Sequence, residues 1–220
     1  MKKTPENLLA LGMLFAVALV LSNVVAAKVV ATAVPFPGGT LVFPGAVFCY
    51  AITFLATDVV GEVWGRREAR AVVRWGFAAQ VLAAALLLFT QALPAADADV
   101  QAAYGRLLGL NWVFAGSSLV AYAISQSWDV FVFHRIRDRV LARRPDARGR
   151  RWIWNNASTM TSQLLDTVVF VGLAFGCGLG WLFDPATRPA LFSLMLGQYL
   201  VKLALAALDT IPFYWLTRRA

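Results

Sequence analysis

Cysteine, histidine and charge are all scarce in this sequence, and each scarcity closes off a class of chemistry. Only two of 220 residues are cysteine, Cys49 and Cys177. Both sit inside apolar runs, without the neighbours of a metal site or a CxxC redox motif, and read as packing or lipid-facing residues. The one histidine, His134, ends an apolar run beside Arg135. A lone imidazole builds neither a zinc site nor a serine triad, so it reads as an interfacial residue, and no metal or cofactor is expected. The sequence has no GxxxxGK[ST] loop, which excludes ATP hydrolysis by that route. It also lacks the GxGD motif of intramembrane aspartyl proteases. The chain is not expected to be an enzyme.

Apolar sequence is what the chain has in excess. Hydrophobic residues make up 60% and charged residues 15%, where a soluble domain has roughly 45–50% and about 25%. Six stretches approach or exceed the ~20 residues that cross a ~30 Å hydrocarbon core. They are Leu8–Val34, Leu41–Trp64, Ala71–Leu93, Leu108–Phe133, Trp152–Trp181 and Ala190–Leu216. The first follows Lys2 and Lys3 as a signal peptide would, but it far exceeds a signal core of about 7–15 residues and is expected to stay as a span. The composition predicts an all-α polytopic membrane protein, a six-transmembrane-helix bundle forming one integral membrane domain over residues 1–220.

The net charge of +8 concerns sidedness. One side of the membrane would carry Lys2, Lys3, Arg66, Arg67, Arg70, Arg74, Arg218 and Arg219, with Arg135, Arg137, Arg139, Arg143, Arg144, Arg148, Arg150 and Arg151 of one basic linker. The opposite loops hold only Arg106 and Arg188, beside Asp97, Asp99 and Asp184. Lys and Arg in short loops stay inside, so both termini and the linker are expected in the cytoplasm of an inner-membrane protein. That rule accounts for the basic linker without a nucleic-acid partner. Its further use, if it has one, is contact with anionic headgroups of the lipid bilayer.

Function must then lie with the polar side chains left inside the spans. A charge at the bilayer centre costs about 2.5–3.5 kcal/mol on insertion scales, so such groups face a bundle interior. Lys28, Asp58, Glu62, Asp129, Asp166, Lys202 and Asp209 are of this kind, joined by Asn23, Gln126, Asn156, Thr159, Gln163 and Gln198. Residues three, four or seven apart share a helix face. Asn156, Thr159, Gln163 and Asp166 therefore form one polar face of the fifth span, and Gln198, Lys202 and Asp209 one of the sixth. Asp58 lies one turn from Glu62 on the second span, and Gln126 pairs with Asp129 on the fourth. The consequence is a polar cavity between spans 1, 2, 4, 5 and 6. Span 3 holds only Gln80 in its apolar run and is expected at the lipid-facing periphery or a subunit contact. Glu62, close to Trp64 and Arg66, also fits an interfacial ion pair, and Thr159 fits interhelical glue.

Read in order, several segments form a pattern: Asn23 with Lys28; Thr57-Asp58-Val59-Val60-Gly61-Glu62-Val63-Trp64-Gly65; Ser125-Gln126 with Asp129 and Phe133-His134; Asn155-Asn156, Ser158-Thr159, Ser162-Gln163 and Asp166-Thr167; and Gln198-Tyr199 with Lys202 and Asp209-Thr210. Together they resemble the queuosine precursor transporter family, also described as a vitamin uptake transporter family, from about Leu8 to Leu216. The resemblance implies uptake of a 7-deazaguanine, 7-cyano-7-deazaguanine or 7-aminomethyl-7-deazaguanine, for queuosine synthesis in tRNA.

A guanine-like edge presents a ring N–H and an exocyclic amine, which one carboxylate accepts as a pair. Asp166 or Asp129 is expected to take that edge, with Gln126, Gln163 and Asn23 completing the site and Lys28 or Lys202 balancing the surplus acids. Asp58, Asn156, Gln198 and Lys202 are further substrate-contact candidates, and Asp58, Glu62 and Asp209 are candidates for a coupling proton. An ion-coupled transporter is the reading favoured, and the substrate-binding membrane subunit of an ATPase-driven vitamin uptake system is the alternative. A homodimer is compatible with so small a transporter.

Overall fold

A computed structural model describes residues 2–37, 39–143 and 151–217, without some of the side chains in its helices. Helix α1 (Pro5–Val25) begins where the Thr4 hydroxyl accepts a hydrogen bond from the Asn7 amide and Pro5 occupies the first turn, as capping and the fixed proline φ favour. Its 21 residues rise about 31 Å, enough for one crossing.

The chain then departs from the span boundaries expected above. Instead of continuing as helix to Val34, it forms an antiparallel hairpin of β1 (Val29–Phe36) and β2 (Gly39–Pro44). Val29, Val30, Thr32 and Val34 are β-branched, which suits a strand. Pro35 and Pro37 would break a helix. An apolar run of this kind cannot be assigned to helix or strand from hydropathy alone.

The other elements are α2 (Ala46–Val63), α3 (Arg66–Ala92), α4 (Ala98–Leu108), α5 (Asn111–Arg143), α6 (Arg151–Val171), a π-helical segment at Gly172–Gly178, and α7 (Arg188–Thr217). The α2–α3 turn is tight enough to need Gly65, whose φ is +101°. Short α4 starts on Asp97, whose carboxylate accepts from the amides of Asp99 and Val100, so the fourth crossing is preceded by a separate helix. The fifth crossing is α6 with its π-helical continuation. Six helical segments are long and apolar enough to cross a membrane, so the helical six-span architecture stands, with the hairpin added to it.

Two apolar cores mark the two ends of the bundle. At one, Leu11, Phe15, Val59, Val60 and Val63 pack with Leu8, Trp64, Ala69 and Leu216. This joins the start of α1, the α2–α3 turn and the end of α7, so both ends of the described chain lie on one side of the bundle. At the other, Ala26, Ala46, Phe114, Phe175 and Leu191 pack with Val42, Leu110 and Trp181. Tyr50 packs against both cores. Exposed Leu9, Met13, Val17 and Leu21 on α1, and Trp75, Leu82, Leu86 and Phe89 on α3, give the bundle the apolar outer face that lipid requires. Gly76 and Gln80 are the buried residues of α3.

Candidate functional site

Between the cores lies a polar layer, and a charge pair is its centre. Lys202 on α7 donates from Nζ to Asp166 Oδ2 on α6 at 2.5 Å, and the two side chains are 3% and 22% exposed. Each charge offsets the desolvation of the other, which is how ionised groups are held inside a bundle. The Ser125 hydroxyl on α5 lies 3.5 Å from Asp166 Oδ1 but has a shorter contact, 3.2 Å, to the carbonyl of Tyr122. One hydroxyl hydrogen serves one of these at a time, so Oδ1 is weakly held and open to a better donor. Lys202 Nζ also sits 5.6 Å from the ring centroid of Tyr50 on α2, within cation–π range. The Tyr50 hydroxyl is in turn 2.7 Å from the Ser118 hydroxyl on α5.

Two amide side chains adjoin this pair in helix register, and a third is borne by α1. Gln198 lies one turn before Lys202, Gln163 one turn before Asp166, and Asn23 near the end of α1. Gln198 and Asn23 are buried. The oxygens Gln198 Oε1, Gln163 Oε1 and Asn23 Oδ1 find no hydrogen-bond partner among the described residues, although the Asn23 amide nitrogen donates to the Leu19 carbonyl. Buried polar atoms are nearly always paired. Orphan carbonyl oxygens on α1, α6 and α7, two of them one turn from the ion pair, are the kind of acceptors that suit a ligand rich in N–H groups.

Not every residue singled out in the sequence joins this layer. Lys28 is exposed beyond the end of α1 and lines a groove with Val24, Tyr104 and Leu107. Lys202, not Lys28, is therefore the cation seen on a site acid. Asp58 and Glu62 are exposed on α2, and the side chains of Gln126, Asp129, His134, Asn156 and Asp209 lie outside the described residues. Tyr50 and Ser118 join the layer from outside the residues that the spacing singles out. Tyrosine favours the membrane interface, so Tyr50, in mid-run, carried a signal that could have been used.

Six apolar crossings around a buried, charge-balanced polar layer are the architecture of a multi-pass membrane transporter. Residues 44–216 match the family model described as "Putative vitamin uptake transporter", and the chain belongs to that family of the cell inner membrane. It is 31% identical over 176 residues to the "Probable queuosine precursor transporter" of Bacillus subtilis (strain 168), covering 77% of this chain and 69% of the relative. To the "Queuosine precursor transporter" of Escherichia coli (strain K12) it is 30% identical over 131 residues, which is 58% of this chain and 53% of that one. No solved structure matches the chain.

Proposed function

We propose that this chain imports a queuosine precursor of the 7-deazaguanine type, 7-cyano-7-deazaguanine or 7-aminomethyl-7-deazaguanine, for queuosine synthesis in tRNA. Two relatives named for queuosine precursors support the substrate class. The observation that carries the reading is the buried Asp166–Lys202 pair with unpartnered amide oxygens on the same two helices. The ring N–H and exocyclic amine of the substrate replace Lys202 on the Asp166 carboxylate as a paired, charge-assisted contact. The freed ammonium donates to the ring carbonyl, and the oxygens of Gln163, Gln198 and Asn23 are available to accept the amine's second N–H. Analogues lacking those donors leave buried acceptors unpaired and are refused. Gln126, Asp129 and Asn156 belong to the same proposed pathway.

Transport is ion-coupled in this reading, with Asp58, Glu62 or Asp209 carrying the proton, and involves no catalysis, cofactor or nucleic acid. Residues 1–220 act as one transport domain with both termini cytoplasmic, which the one-sided Lys and Arg distribution supports. The apolar face of α3 is where a second copy would pack in a homodimer.

The test is uptake of labelled 7-cyano-7-deazaguanine by cells unable to make it, with queuosine in tRNA as readout. Rescue by the chain but not by Asp166→Asn is expected. Rescue by both would remove Asp166 from the site. Uptake abolished by an uncoupler at constant ATP supports proton coupling, whereas uptake that follows ATP assigns the chain to an ATPase-driven system.

A further inference from the structure

Gln80 is a residue that the transport reading leaves unused, and its surroundings are unusual. Its side chain is 1% exposed, and neither its amide oxygen nor its amide nitrogen has a hydrogen-bond partner among the described residues. It is borne by α3, a helix whose other large side chains mostly face outward. An apolar side chain of similar shape would avoid the penalty of leaving two buried polar atoms unpaired. A glutamine here therefore points to a partner that comes and goes.

The packing of neighbours fixes its level in the bundle. Phe77 stacks edge-on against Tyr122 of α5 at 4.7 Å between ring centroids. A Cβ added to Gly76 would strike the ring of Phe15 on α1. Gln80 lies one turn beyond both, towards the hairpin end. Because α5 runs opposite to α3, that is the level of Ser118, the partner of the Tyr50 hydroxyl. Ser125, beside Asp166, is seven residues further along α5, about 10 Å at 1.5 Å per residue. That separation is measured along the bundle axis, and it is comparable to the span of a flat two-ring heterocycle held at both edges.

We propose that Gln80 is a specificity-determining residue of the transport site, its amide gripping the edge of a free base where a ring N–H adjoins a ring nitrogen acceptor. This rests on the function proposed above. A side-chain amide offers an oxygen acceptor and N–H donors in one plane, and so matches that edge with two parallel hydrogen bonds. In a 7-deazaguanine the edge comprises the five-membered-ring N–H and the neighbouring six-membered-ring nitrogen. It is also where a sugar attaches in the nucleoside. Glycosylation or methylation there removes the N–H that Gln80 accepts, so the site takes the base and refuses the nucleoside.

The experiment is whole-cell uptake of labelled 7-cyano-7-deazaguanine, competed by the unlabelled base, its derivative methylated on the five-membered-ring nitrogen, and its nucleoside. Wild type should be competed by the base and at least tenfold less well by the other two. Gln80→Leu should lower uptake efficiency about tenfold or more and erase that preference, with unfolding temperature in detergent unchanged or raised. If the methylated base competes with wild-type uptake as well as the base does, the inference is overturned without any variant. It is equally overturned if Gln80→Leu transports and discriminates like wild type. Absence of uptake by wild type itself would instead overturn the functional reading on which the inference stands.

Discussion

At the end of the bundle that holds both ends of the described chain, α1, α2 and α7 meet through side chains such as Leu11, Val59, Val63 and Leu216. At the opposite end backbone also makes a close approach. There β2 lies against α7: the Ser193 hydroxyl donates to the Thr40 carbonyl at 2.9 Å and accepts from the Val42 amide at 3.1 Å. A Cβ on Gly197 would come within 2.0 Å of the Val42 carbonyl oxygen. The two strands of the hairpin pair with each other, and Ser193 supplies partners on the outer edge of β2, so that edge is satisfied by protein. Aliphatic side chains can shift rotamer to absorb a change. A strand carbonyl has no such freedom, so Gly197 and Gly12 should respond differently to the same substitution.

The largest effect is expected midway between them, where Lys202 and Asp166 join α7 to α6. Lys202→Met leaves the half-buried Asp166 carboxylate unpaired and should cost about 2–3 kcal/mol, below the range for a fully buried pair, seen as a lowered unfolding temperature together with loss of uptake. The double replacement Lys202→Met with Asp166→Leu should recover most of the stability and none of the transport. At the hairpin end, Gly197→Ala should cost about 1–3 kcal/mol, the range for overpacking, and expose the hairpin to proteolysis in detergent. Ser193→Ala at the same end removes both hydrogen bonds to β2 and should cost about 1–3 kcal/mol through the groups left unsatisfied. At the other end, a Cβ on Gly12 meets Val72 at an ordinary 3.7 Å. Gly12→Ala should stay within about 0.5 kcal/mol of wild type, and an effect as large as that of Gly197→Ala would erase the contrast between the ends.

Part of the site could be read directly from spacing. Asp166 and Gln163 share a face of α6, as Lys202 and Gln198 share one of α7, because three- and four-residue intervals return to the same side of a helix. What spacing does not encode is which face meets which. Lys28 and Lys202 looked equivalent as intramembrane cations, yet Lys28 follows the end of α1 and is exposed while Lys202 is buried against Asp166. Gln80, one amide in a long apolar run, gave no periodic signal at all. The role proposed for it rests on its being buried without a partner among the described residues, a property of helices packed together.

Hydropathy determined the six crossings, since transfer free energies act residue by residue. The tertiary structure decided that residues 29–44 are a hairpin and not the ends of two helices. It also decided which of the intramembrane charges pair. Both outcomes depend on partners distant in the chain: Ser193 satisfies the edge of a strand some 150 residues away, and the cost of a buried carboxylate depends on whether an ammonium from another helix lies beside it.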